Sequence, residues 1–311
     1  MKAIILNGPG GVDQLELVDI AIPEIKTGEV LVKVKAISVN PVDTKVREGK
    51  GIYAALKDTL PIILGWDIAG VVQESQSELF KPGDEVFGMV NFPGHGKAYA
   101  EYVAAPATQL AIKPANVSFE EAAASTLVAL TAWQAFVSNG KVQRGQNVLI
   151  HAAAGGVGHV AVQLAKYLGA NVTGTSSHSN QDFVMSLGVD RHIDYHGYDW
   201  LIQRREYDFV LDTIGGVNIE HSIAVTKEGG TVISIPTGLN DQVTEKANEM
   251  RVNAYFILVK SDGDDMRQIA SLLEKGVIKP HVSHIFNFSE MPQAHLQIET
   301  GRTIGKVVVA L

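Results

Sequence analysis

The run His151-Ala-Ala-Ala-Gly-Gly-Val-Gly158 constrains this chain more than any other stretch. It follows an apolar, strand-like segment, Asn147-Val-Leu-Ile150, and leads into a helix-patterned segment at 157–168. A strand, a glycine turn and a helix in that order make a seat for a dinucleotide pyrophosphate. Gly155 and Gly156, between Ala154 and Val157, let the backbone approach the phosphates, and Gly158 lets helix and strand pack closely. The positive N-terminal end of the helix then faces the charge. Ala153 stands at the first position of the G-x-G-x-x-G pattern, so the motif takes its meaning from the elements that flank it.

Those elements continue as a regular β–α alternation. Strand candidates are 147–151, 171–175, 191–194, 209–212, 231–235 and 254–259, with helices opening near Val157, Asn180 and Asn218. Such alternation builds a doubly wound parallel sheet that binds its ligand at the carboxyl ends of the strands. Before residue 118 the chain has another character: short β-like runs at 30–39, 70–74, 84–90 and 99–104, separated by turns such as Lys81-Pro-Gly-Asp84. Ser118-Phe-Glu-Glu121 reads as a capping box opening a long helix through about residue 137. After Ser261 the pattern gives a helix at 265–274, a strand at 284–288, a helix at 289–299 and a closing strand at 304–309. These return to the first domain. We therefore expect an α/β protein with a mainly β domain at 1–118 and 262–311, and a nucleotide-binding domain at 119–261.

Composition excludes several classes. A 311-residue chain that is 46% hydrophobic and 19% charged suits a globular protein rather than a disordered one. A net charge of −8 argues against a nucleic acid or an anionic membrane as the partner. With no cysteine there is no disulfide, no thiolate nucleophile and no thiolate metal site. The opening run Met1-Lys-Ala-Ile-Ile-Leu6 is too short for a signal-peptide core or a membrane span, so we expect a soluble, cytoplasmic protein.

The second strand candidate bears on the choice of dinucleotide. An NAD-binding fold usually ends that strand with Asp or Glu, which holds the ribose 2′-hydroxyl. Here the chain reads Ser176-Ser-His-Ser-Asn180, and no acid follows until Asp182. Without a carboxylate a 2′-phosphate is not repelled, Ser176, Ser177 and Asn180 offer donors, and His178 adds partial positive charge. No Arg or Lys stands beside them, and helix capping is the bland alternative for such small polar residues. NADPH is the expected coenzyme.

Across essentially all 311 residues the chain resembles the zinc-independent members of the medium-chain dehydrogenase/reductase superfamily, close to the quinone oxidoreductases and enone (alkenal) reductases. The resemblance rests on Ser38-Val-Asn-Pro-Val-Asp43, Leu64-Gly-Trp-Asp-Ile-Ala-Gly70, Pro82-Gly-Asp84, Leu130-Thr-Ala-Trp133, the glycine turn, Leu211-Asp-Thr-Ile-Gly-Gly216 and Gly305-Lys-Val-Val308, in that order and spacing. It implies a GroES-like β domain made from both chain ends, plus a Rossmann domain. The zinc-dependent relatives carry a Cys where this chain has 38–40, and Gly-His-Glu where it has Gly65-Trp66-Asp67. The four-cysteine structural zinc lobe is missing as well. His281 with His284, and His192 with His196, read as surface or core histidines rather than ligands, and no zinc is expected.

Without a Lewis acid, oxidising an unactivated alcohol is difficult, whereas reducing an activated double bond or a quinone needs only a few donors around the developing anion. The resemblance implies Asn40, Lys45 and Tyr53 as those donors: Asn40 beside the nicotinamide, Lys45 for the enolate, and Tyr53 at the substrate mouth. Packing or solvation is the plain alternative for Lys45 and Tyr53, and Asp43 is expected to brace the loop. It further implies cofactor contacts from Thr131, Tyr195, Ile214, Gly215, Ile235, Pro236, Thr237, Phe256, Leu258 and Val259. Lys306 and Arg302 are placed near the phosphates or nicotinamide, with solvation favoured for Arg302. The expected protein is an NADPH-dependent quinone or enone reductase, a homodimer like its relatives. A catalytically weak NADPH-binding sensor or RNA-binding protein and an enoyl-thioester reductase are the alternatives.

Overall fold

The structure, a computed structural model, describes residues 1–236 and 238–311, with the side chain of Leu201 left aside. The chain divides into two compact units: Met1–Leu130 with Val259–Leu311, and Thr131–Leu258.

The second unit is built on a six-stranded sheet, every adjacent pair parallel. In spatial order its strands are Arg191–Asp194, Asn171–Ser176, Asn147–Ile150, Tyr207–Asp212, Thr226–Ser234 and Asn253–Phe256. In chain order that is 3-2-1-4-5-6, the doubly wound arrangement whose strand order reverses beside the first strand. The helices Gly156–Tyr167, Gln181–Ser186 and Asn218–Val225 fall where the alternation predicted. Leu149, Val210 and Val232 of the sheet pack with Ile219 and Ile223 of the helix Asn218–Val225 into one apolar cluster. The helix Asp241–Glu249 was not anticipated; its Asn240 cap, accepting from the Val243 amide at 2.8 Å, is its local signal.

The first unit carries a seven-stranded sheet in which Glu29–Val39 is the longest strand, paired on its two sides with Asp67–Ser75 and Lys306–Ala310. The closing strand Lys306–Ala310 lies in this sheet, antiparallel to Glu29–Val39. Most of the long strand is buried, Val30 to Val32 and Ala36 to Val39 in unbroken runs, as befits a strand with neighbours on both sides.

Two elements differ from expectation. The capping box at Ser118 forms, Glu121 N donating to Ser118 Oγ at 3.1 Å and Ser118 N to the Glu121 carboxylate at 2.9 Å. The helix is not continuous to residue 137, however: it runs Phe119–Ala124, resumes as Thr126–Trp133, and passes into a π-helical turn, Gln134–Asn139. At the break, the Ser125 and Thr126 hydroxyls bond back to the carbonyls of Glu121 and Ala123, and such side-chain competition interrupts a helix. The sixth strand ends at Phe256 rather than 259, and Val259 belongs to the first unit.

Candidate active site

The glycine turn sits at the carboxyl end of the central strand Asn147–Ile150. Ala152 takes a left-handed conformation (φ 46°), and its carbonyl accepts the Gly155 amide at 2.9 Å. Gly155 then caps the twelve-residue helix Gly156–Tyr167. The first amides of a helix have no intrahelical partner, so this end presents donors and positive potential together. Gly158 is obligatory: a Cβ there would stand 2.2 Å from the Ala152 carbonyl oxygen and 2.7 Å from the Ala153 Cα. Ala154 is buried and Val157 half-buried beside it. Opposite, the fully buried Asp212 accepts from the amides of Ile214 (2.9 Å) and Gly215 (2.7 Å), from Asn218 and from Ser222. It holds the loop after the fourth strand so that Ile214 is half exposed, at 50%. The left-handed Ala152, the glycines and the amides at this helix end suit a dinucleotide pyrophosphate.

At the end of the neighbouring strand, Ser176 is buried, and its hydroxyl donates to the Ser177 carbonyl at 3.0 Å while meeting His192 Nε2 at 2.8 Å. Ser177 and Ser179 share a hydrogen bond of 2.9 Å, and Ser177 caps the short turn His178–Asn180 without using its side chain. Asn180 is half-buried. Tyr195 is exposed and stacks on His196 with ring centroids 4.1 Å apart. Thr131 is buried on its helix, Ile235 is half-buried, and Phe256 is partly exposed at the end of its strand. Thr237 lies outside the described residues.

In the first unit, Asn40 is buried and caps the helix Pro41–Arg47. Its backbone amide donates to the Asp43 carboxylate at 2.6 Å, and its side-chain amide donates to Asp67 Oδ2 at 2.7 Å. Its side-chain oxygen accepts from Lys306 Nζ, which also donates to the Val39 carbonyl at 3.0 Å. The other Asp67 oxygen accepts the Leu127 amide at 3.1 Å. Lys306 is 2% exposed, and its ammonium is spent on Asn40 and Val39 inside the unit. Arg302 is exposed. Sequence reasoning missed this brace, in which Asn40 bridges a buried acid and a buried ammonium.

Burial dominates the electrostatics. It pushes the Asp43 carboxyl up to about 7, with Asp67 adding to the rise and the Asn40 amide and Lys306 opposing it. It likewise raises Asp67 and lowers Lys306, each opposed by the other's charge. Behind Asp43 stand Tyr99, whose phenol burial holds well above its usual range, and His295, which burial lowers to about 3; their hydroxyl and Nε2 are 2.9 Å apart.

Lys45 lies half-buried on the helix that Asn40 caps, and Tyr53 half-buried on the following turn, Gly51–Ala55. Among the described residues neither side-chain terminus has a hydrogen-bond or ion-pair partner, so both remain available as donors. Trp66, at the place of the zinc-dependent relatives' histidine, is 1% exposed and donates its indole N–H to the Gly94 carbonyl at 2.7 Å. Among the described residues no group of three or more His, Cys, Asp or Glu is gathered that would hold a metal ion.

A parallel sheet of order 3-2-1-4-5-6 with a glycine turn at its switch point, joined in one chain to a β unit built from both termini, defines a nucleotide-dependent dehydrogenase or reductase. Residues 26–115 match the family described as Alcohol dehydrogenase GroES-like domain, and residues 187–309 the one described as Zinc-binding dehydrogenase. The chain is similar to the chloroplastic NADPH-dependent alkenal/one oxidoreductase of Arabidopsis thaliana, with 36% identity over 99% of this chain and 79% of that one. Among solved structures it matches the quinone oxidoreductase from Coxiella burnetii, with 39% identity, a TM-score of 0.94, and 100% and 99% of the two chains covered. It also matches Escherichia coli quinone oxidoreductase complexed with NADPH, with 27% identity, a TM-score of 0.88 and both chains covered in full. The chain belongs to the medium-chain dehydrogenase/reductase superfamily, among its quinone and alkenal oxidoreductases.

Proposed function

We propose that this protein is a zinc-independent, NADPH-dependent reductase of quinones or of the C=C bond of α,β-unsaturated carbonyls. The observation that carries the reading is the glycine turn at the switch point, where a side chain at Gly158 would collide with backbone. The bound coenzyme supplies hydride. This chain's residues supply the remainder: the helix amides and Gly155 seat the pyrophosphate, and the half-exposed Ile214 lines its path. The unpaired ammonium of Lys45 and the Tyr53 hydroxyl stabilise the oxyanion that forms as a double bond is reduced, and one of them passes on a proton. Asn40, with both ends of its amide occupied, acts by fixing the helix that carries Lys45. Trp66 fills the ligand position with an indole, which offers no lone pair to a metal.

We further infer a cytosolic homodimer, with the exposed Asn253–Phe256 strand of the nucleotide-binding sheet as its edge. Among the described residues no helix is long and apolar enough to cross a membrane. The test is NADPH oxidation with 1,4-benzoquinone, a small enone and crotonyl-CoA, each repeated with NADH. Turnover of quinone or enone with NADPH supports the reading. Turnover of crotonyl-CoA alone moves the protein to the thioester reductases, and no turnover with any acceptor defeats it.

A further inference from the structure

We propose that His192, anchored by Ser176, is the cationic group that recognises the 2′-phosphate of NADPH, so that the coenzyme binds together with a proton. The inference rests on the NADPH reading above and concerns how this chain achieves it. The sequence places no Lys or Arg next to Ser176-Ser-His-Ser-Asn180. The nearby cations are engaged elsewhere: Lys166 pairs with Asp190 at 2.7 Å, and Arg191, at the start of its strand, with Glu206 at 2.9 Å. A phosphate ester carrying nearly two charges at neutral pH needs a cationic partner from some other side chain.

Sheet register supplies one. Arg191–Asp194 runs parallel to Asn171–Ser176, with His192 beside Gly174 and Asp194 beside Ser176, and His192 Nε2 reaches the Ser176 hydroxyl at 2.8 Å. The Ser176 proton goes to the Ser177 carbonyl, so the hydroxyl must accept from the ring, and the neutral tautomer carries its proton on Nε2. Nδ1 is then bare, and among the described residues it has no partner. Protonation turns it into a donor and gives the ring a positive charge where a 2′ substituent is read.

The titratable groups facing His192 are few. Asp194, on its own strand, raises its proton affinity; His178, on the turn after the second strand, lowers it; burial lowers it most. The Asp194 carboxylate is occupied by His196, which bonds it through both its backbone amide (3.0 Å) and its ring (2.8 Å). The helix packed on this strand, Gln181–Ser186, contributes only the exposed Asp182, and Asn171–Ser176 contributes no ionisable side chain. In the free protein near neutral pH the ring is therefore mainly uncharged, and an arriving dianion draws a proton from solvent onto Nδ1.

Calorimetry of the wild-type protein at about pH 7.5, in two buffers of different ionisation enthalpy, counts that proton directly. At this pH the phosphate itself has almost none to release. We expect uptake of about half a proton or more with NADPH and with adenosine 2′,5′-bisphosphate, and none with NADH or 5′-AMP. His192→Gln should weaken NADPH binding about tenfold or more, leave NADH within about twofold and abolish the uptake. Ser176→Ala, which frees the ring without removing it, should give a smaller loss of the same kind. Tight NADPH binding without uptake, or with an uptake that survives His192→Gln, overturns the inference and leaves the coenzyme reading standing. A wild-type protein that prefers NADH overturns both.

Discussion

Replacing Lys306 with Met removes one buried charge at nearly constant shape and should expose what the brace around Asn40 contributes. Burial raises the Asp43 carboxyl from 3.8 to about 7. Relative to a carboxyl of ordinary affinity, that costs roughly 4 kcal/mol once the solution is above pH 7. The folded value exceeds the unfolded one, so the folded protein holds the extra proton across this window, and stability falls as pH rises from about 4 to about 7. Asp67 is shifted in the same direction, and the Lys306 ammonium offsets both. Without it, two buried acids face each other with their proton affinities raised further. We expect Lys306→Met to lose about 3–5 kcal/mol at about pH 8. At about pH 5, below the raised Asp43 value and with Asp67 shifted in the same direction, the loss should shrink towards about 1–2 kcal/mol, the worth of the hydrogen bonds to Val39 and Asn40. Urea unfolding of the single mutant and of Asp67→Asn/Lys306→Met at the two pH values measures these differences. The double mutant should recover much of the loss at the higher pH, because it lacks the uncompensated acid. An equal loss at both pH values, or a double mutant no more stable than the single one, refutes the electrostatic account.

Lys45→Ala should lower turnover about tenfold to a hundredfold while leaving the dissociation constant for NADPH within about twofold, as fluorescence titration and steady-state kinetics would report. Gly158→Ala gains helix propensity but drives a Cβ to 2.2 Å from the Ala152 carbonyl, so thermal unfolding should show a net loss of about 1–3 kcal/mol with weakened coenzyme binding. Ser118→Ala deletes the hydroxyl that accepts the Glu121 amide and should cost about 1 kcal/mol in urea unfolding without changing KM for either substrate.

What could be read from the sequence was local. A strand, a glycine turn and a helix are contiguous, and β–α alternation repeats within a few tens of residues, so the doubly wound parallel sheet and the glycine turn on its central strand follow from pattern, whereas the strand order does not. The brace does not: Asn40 meets Asp67 across 27 positions and Lys306 across 266, and only the fold brings them together. One signal was available, namely single charges set in apolar runs: Lys306 opens Lys-Val-Val-Val309, and Asp67 lies between Trp66 and Ile68. In sequence His192 reads, with His196, as a surface or core histidine. Its meaning depends on the register between two strands, which no local pattern encodes. The break at Ser125 escaped for another reason: Ser and Thr within an alanine-rich helix compete for its carbonyls only once packing orients them.

An indole stands where the zinc-dependent relatives place a ligand, so in the proposed reading the protein itself must hold its donors. A metal ion organises its surroundings by its own charge and geometry; discrete donors must be held by the protein before substrate arrives, because preorganisation is what makes them effective. Here the holding elements are the acid that follows Trp66 and the lysine of the closing strand, which fix Asn40 from both sides. Asn40 fixes the first turn of Pro41–Arg47 through Asp43, and that helix carries Lys45. The last helix is tied in as well, since Arg47 donates to Glu299 and to the Gly10 carbonyl at 3.1 Å. In the proposed reading, that fixed base holds the half-buried, unpaired Lys45 as a donor that need not reorganise around the oxyanion. Loosening the base by Lys306→Met should therefore lower turnover even where the protein remains folded, and Lys45→Ala in that background should cost less than in the wild type. Equal costs in the two backgrounds would mean that Lys45 draws nothing from the brace.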